Sequence, residues 1–103
     1  METGNKVTLS CKLTSPELRK RKDEVIARLK KQVLDRQELA NGIRFRFNGS
    51  DGVLDEITSF IKSERQCCDF FNFNVAVNSD SSIWLEISGP EGAKEFITTE
   101  LEM

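Results

Sequence analysis

Two adjacent cysteines, Cys67 and Cys68, stand in the stretch ITSFIKSERQCCDFFNFNVAV, residues 57–77, with Glu64 and Arg65 just before them and Phe70, Phe71 and Phe73 just after. No other part of the chain concentrates chemistry-bearing side chains in this way. Thiolates favour soft ions: Cu(I), Zn(II), Hg(II) and trivalent arsenic-type species. Cys11 is the remaining cysteine, and joining the pair it would complete a three-thiolate site. On a regular helix neighbouring residues sit about 100° apart. Two adjacent thiols therefore converge on one centre only where a helix unwinds, which is where this pair falls. A structural zinc site normally takes four Cys or His ligands. With three thiols, zinc needs a carboxylate such as Glu64, a water, or a ligand from a second subunit. Glu64 could also serve as a base, and Arg65 could hold a carboxylate or an oxyanion.

A plainer reading stands beside this one. Cys67 lies seven residues after Phe60 and Cys68 seven after Ile61, so both continue an apolar helix face. Cys11 falls on the apolar side of an alternating stretch. All three are then small buried hydrophobes. Glu64 and Arg65 make salt bridges in this reading, Glu64 with Arg44 or Arg46. Reactive-thiol chemistry is disfavoured. A helix C-terminus carries partial negative charge, which works against a thiolate. Asp69 adds to it and Arg65 opposes it. A C-x-x-C motif opening a helix is absent.

The chain has no histidine and no tyrosine. That removes Ser-His and Cys-His nucleophile arrangements and every His-based metal site, so classical enzymatic machinery is not expected. The glycine-bearing turn Asn48-Gly49-Ser50-Asp51-Gly52 has neither G-K-[ST] nor G-x-G-x-x-G, so it is not a phosphate loop. The cysteine count is odd, which argues against a disulfide framework and for reduced thiols. No apolar run approaches the roughly 20 residues of a membrane span, and the opening METGNKVTLS lacks a charged-then-apolar leader pattern. A cytosolic (cytoplasmic) protein with no membrane partner is expected.

The net charge of −2 is unevenly placed. Residues 1–46 carry twelve Lys/Arg against six Asp/Glu, and residues 47–103 carry three against eleven. Such asymmetry marks either a nucleic-acid surface or two halves, of one fold or of two subunits, that attract each other. Arg19-Lys20-Arg21-Lys22 wraps its helix all round instead of lining one stripe, and no exposed aromatics accompany it, so the nucleic-acid reading is the weaker.

The elements that position these groups follow from periodicity. Residues 5–13 alternate as a short strand. Ser15-Pro16-Glu17 opens a helix, with Ser15 as cap and Pro16 at the first position. Leu18, Val25, Ile26, Leu29, Val33 and Leu34 carry that helix over 16–39, with Asn41-Gly42 as its stop. Residues 42–47 form a strand with Ile43, Phe45 and Phe47 on one side and Arg44 and Arg46 on the other. A second helix over 51–68 is capped by Ser50 or Asp51, with Val53, Leu54, Ile57, Phe60 and Ile61 inward. Residues 71–77 and 83–88 form a hairpin around a 78–82 loop. Trp84 and Glu86 face away from the core there, so that side is expected to be covered by an element or a second subunit. Gly89-Pro90-Glu91-Gly92 opens a last helix over 90–101, with Ala93, Phe96, Ile97 and Leu101 inward.

At 103 residues this is one domain, 1–103. Hydrophobic content of 38% with 31% charged residues implies a small core and elements wet on one face. The fold class is α+β. A small, mainly antiparallel sheet of about three or four strands carries helices on one face, in the order (β)-α-β-α-β-β-α. A homodimer is expected.

Three stretches, LSCKLTSPELRKRK, ERQCCDFFNF and WLEISGPEGAKEF, together resemble a family of small bacterial proteins with an E-R-x-C-C-x-F centre and a closing G-P-x-G-A-x-x-F segment. The matched residues are Cys11, Glu64, Arg65, Cys67, Cys68, Phe70, Phe73, Gly89, Pro90, Gly92 and Phe96. Where that pattern often has proline after the cysteine pair, this chain has Asp69. Related segments occur in proteins associated with heavy-metal or metalloid resistance. The resemblance thus implies, loosely, a soft-metal or metalloid ion, which the thiol chemistry above places on Cys67, Cys68 and Cys11 with Glu64 and Arg65 in support. The alternative is a structural or protein-interaction homodimer whose cysteines only pack.

Overall fold

The first helix, α1 (Pro16–Lys30), buries Lys22, Val25, Ile26 and Leu29 along one stripe. The structure is a computed structural model that describes residues 16–101 and 103, without the side chains of Cys67 and Glu100. The strand expected over 5–13, the Ser15 cap and Cys11 lie outside the described residues.

The expectation of one helix from 16 to 39 is overturned. The chain leaves the helix at Lys30, where Gln32 N–H donates to the Leu29 carbonyl at 2.9 Å, and Leu34 N–H then donates to the Arg46 carbonyl at 2.7 Å. Asp35–Leu39 becomes strand β1, antiparallel to β2 (Gly42–Asn48), with Asp35 opposite Arg46 and Leu39 opposite Gly42. The Asn41-Gly42 signal falls at a two-residue hairpin loop, Ala40-Asn41, with Gly42 opening β2, and not at a helix stop. Leu34 is 56% exposed. It fits the helical spacing by coincidence, while the ladder with β2 supplies the backbone partners that a continued helix would have to supply itself.

α2 (Asp51–Cys67) begins where the Ser50 hydroxyl accepts the Val53 N–H at 3.2 Å. Its Val53, Ile57 and Phe60 are buried, while Leu54 and Ile61 pack against the core from its margin. β3 (Asn72–Val77) and β4 (Ser82–Ser88) form the expected hairpin. Ser81 takes φ 66° in its loop, and the Asp80 carboxylate accepts from the Ser82 N–H at 3.1 Å. The closing segment is a short α3 (Ala93–Phe96) running into a wide π turn at Ile97–Leu101. Ala93, Phe96, Ile97 and Leu101 are all buried, as their spacing predicts.

The described elements run α-β-β-α-β-β-α, an α+β fold with one four-stranded antiparallel sheet in the order β1-β2-β4-β3. β2 and β4 are central. Ile43, Phe45 and Phe47 stand opposite Ile87, Leu85 and Ile83, and all six are 0–1% exposed. Burying side chains of this size stabilises the fold by roughly 1.5–3 kcal/mol each. The other face carries Arg44 opposite Glu86 and Arg46 opposite Trp84, all half-buried. Above the Trp84 ring lies the Arg44 guanidinium, 4.1 Å from its centroid. The charge asymmetry is spent partly within the fold. Arg28 on α1 meets Glu56 on α2 at 2.9 Å, and Lys22 meets Glu64 at 3.5 Å.

Candidate thiol and carboxylate site

The last turn of α2 holds the candidate site. Ile57, Phe60 and Glu64 fall on one stripe of this helix, and all three are 0% exposed. Cys68 ends the helix. Its backbone has turned to φ −127°, ψ 77°, yet its N–H still donates to the Glu64 carbonyl at 2.6 Å. Its side chain is a reduced thiol with no exposure. The expected unwinding of the helix at the cysteine pair is therefore present, one residue earlier than the 51–68 span predicts. Cys67 is the last helical residue, but its side chain is outside the described set.

Glu64 is the unexpected member. A surface pair with Arg44 or Arg46 was expected for it. Instead it lies inside, because its position continues the Ile57–Phe60 stripe, and it pairs with Lys22 of α1. Arg44 and Arg46 stand on the far face of the sheet. Lys22 is itself buried, at 8% exposure, because it falls three, four and seven residues before Val25, Ile26 and Leu29 on the inward stripe of α1. Both placements are legible in the spacing. Lys22 was missed because the run at 19–22 was read as wrapping the helix all round, with no member singled out as inward. Arg65, by contrast, is exposed.

The Glu64 carboxylate is poorly provided for. Neither oxygen has a hydrogen-bond partner of full geometry. Its contacts with Lys22, at 3.5 Å, and with the Cys68 thiol act on its charge but fall short of that geometry. Burial pushes the carboxyl above its ordinary range, and Lys22 and the thiol pull it part of the way back. A buried polar group without a good partner costs free energy on the order of 1–3 kcal/mol.

Beyond Cys68 the chain packs aromatic rings around the end of the helix. Phe70 and Phe71 lie 4.6 Å apart by centroid, Phe96 meets Phe70 edge-on at 5.2 Å, and Phe60 meets Phe73 edge-on at 6.1 Å. Gly89 makes room for this. A Cβ there would stand 3.1 Å from the Phe70 carbonyl oxygen and 3.2 Å from the Ala93 side chain. The E-R-x-C-C-x-F stretch and the G-P-x-G stretch thus meet in space at one aromatic wall. Such a wall lowers the local dielectric and strengthens electrostatic effects behind it.

The structure therefore brings Glu64, Cys68 and Lys22 together. Cys11 and the Cys67 side chain lie outside the described residues, and among the described residues no group of three or more His, Cys, Asp or Glu is clustered as a metal site. Also among the described residues, no helix is long and apolar enough to cross a membrane. Comparison with protein-family models, with curated proteins and with solved structures finds no match.

Proposed function

We propose that this protein is a small cytoplasmic module that binds or senses a soft metal or metalloid ion through thiolates, working as a homodimer. The ligands are Cys67, Cys68 and Cys11, with Glu64 as supporting carboxylate and Arg65 at the rim. The observation that carries the reading is Glu64: a carboxylate held at 0% exposure with both oxygens short of partners, beside a reduced thiol. An apolar residue of similar volume would serve the core at least as well. A carboxylate next to thiols makes sense where a cation completes its coordination. Lys22 fits the same picture, because three thiolates and the Glu64 carboxylate around a divalent ion sum to about −2, which the neighbouring ammonium reduces to about −1. The likeness to the E-R-x-C-C-x-F pattern points the same way.

The test is native mass spectrometry of the reduced protein, titrated separately with zinc, cuprous, mercuric and arsenite ions against a competing thiol. One ion held per chain or per dimer, and lost in Cys67→Ser, is the expected outcome. A second reading is favoured by the complete burial of Cys68 in the apolar core: the thiols only pack, and the protein is a structural or interaction module. Absence of binding above the competitor selects it.

A further inference from the structure

Among the described residues, the two edges of the sheet are built to opposite specifications. β1, at one edge, carries Asp35, Arg36 and Glu38 in five residues. Arg36 and Glu38 are further engaged by Thr98 and Lys94. β3, at the other edge, reads NFNVAV, with no charge and no proline. Its register with β4 runs without a bulge from Asn72 opposite Ser88 to Val77 opposite Ile83. Val75 and Val77 are 38% and 61% exposed. Edge strands are ordinarily guarded by charges, proline, bulges or a covering element, because their outer N–H and C=O groups invite another strand. Charge, proline and bulge are all absent from β3.

We propose that β3 pairs antiparallel with β3 of a second copy about a two-fold axis, joining the two four-stranded sheets into one. A second copy fits this edge because an antiparallel strand is complementary to itself under a two-fold, and because a neutral strand brings no like charges together. Parity limits the register. Directly opposed residues share a face, so a pairing that sets Asn74 against Val75 would mix wet and dry side chains. With Val75 opposite its own copy, Val77 stands beside Phe73 of the second chain, and Ala76 beside Asn74. The exposed valines and the half-buried Phe73 then form one apolar row across the axis. So short a ladder falls at the small end of interfaces, so the dimer dissociates in roughly the micromolar range. This locates the contact of the homodimer named above, and it is tested apart from the ion by using reduced, metal-free protein throughout.

The experiment is sedimentation velocity over a concentration series, with Val77→Lys as the variant, paired with amide hydrogen exchange at low and high concentration. Val77 is exposed, so the variant folds; its circular dichroism and melting temperature serve as the check. The expected result is a concentration-dependent dimer, weakened about 100-fold or more by Val77→Lys, the size of effect produced by an unpaired charge at a strand interface. Amides of β3, and not those of β1, gain protection as concentration rises. A protein that stays monomeric at high concentration overturns the proposal. So does a dimer that survives Val77→Lys with the β3 amides unprotected, which would place the contact elsewhere, the Trp84 face included.

Discussion

Lys22 of α1 sets its Nζ 3.5 Å from Oε2 of Glu64 of α2, and both side chains are buried. The two helices are thus joined through their inward faces by opposite charges, at positions where periodicity alone would place apolar residues. Removing one partner of a buried pair strands the other. Lys22→Met is therefore expected to destabilise the protein by about 3 kcal/mol, and the double change Lys22→Met with Glu64→Leu to recover most of that loss. Urea midpoints of the single and double variants measure it. A double variant no more stable than Lys22→Met would show that the pair is not the relevant interaction.

The pH dependence follows from Glu64. Burial raises its carboxyl in the folded protein, so the fold favours the protonated form. Its contribution is fully present below the unfolded carboxyl's value near about 4.3. It is lost as pH rises through the raised folded value. Relative to Glu64→Gln, which cannot ionise, the wild type should lose stability as pH is taken from about 4 upward. Paired denaturation curves across that range check the slope; a constant difference between the two proteins would contradict the assignment.

If a soft ion is bound, Glu64→Gln should weaken it by about 10–100-fold, the usual effect of losing a supporting group at a metal site. Cys68→Ala should abolish binding at a stability cost of about 1 kcal/mol, since little volume is removed. Competition titration against a small thiol, with melting temperature measured alongside, separates the two effects. Loss of fold accompanied by no change in affinity among the folded fraction would point to packing alone.

Gly42 opens β2 against the end of β4. A Cβ there would land on the Ile87 carbonyl oxygen and 2.7 Å from the Ser88 Cα, both backbone atoms. Gly42→Ala is expected to cost about 1–3 kcal/mol through forced backbone shifts. Thermal unfolding tests this directly, and an unchanged melting temperature would refute the close approach.

The cap of α2 is a smaller and independent contribution. Ser50→Ala removes the acceptor of the Val53 N–H and should lower stability by about 1 kcal/mol. Ser50→Asp should restore it, which distinguishes capping from any change in loop packing.

The central strands and α2 were legible because each carries a strict signal. Ile43, Phe45 and Phe47 alternate with arginines, and a serine cap precedes the apolar stripe of Val53, Ile57 and Phe60. β1 was not, because Val33 and Leu34 extend the spacing of α1, while DRQEL has little apolar content to announce a strand. Its formation depends on the neighbouring β2 backbone, a tertiary partner that spacing within the segment does not encode. Lys22 and Glu64 show the opposite case. Their places on the inward stripes were visible, but the usual solvation of charged side chains made the outward reading the more natural one.

The stacking of Arg44 over Trp84 has a practical consequence. Trp84 is the sole tryptophan, and there is no tyrosine, so near-ultraviolet emission of the protein comes almost entirely from this one indole. It stands on the sheet face opposite the helices, across the core from Glu64 and Cys68. A binder that lands on that face and displaces the guanidinium would change the emission without touching Cys68. The molecule therefore carries its own optical reporter for the sheet face that lies across the core from Cys68.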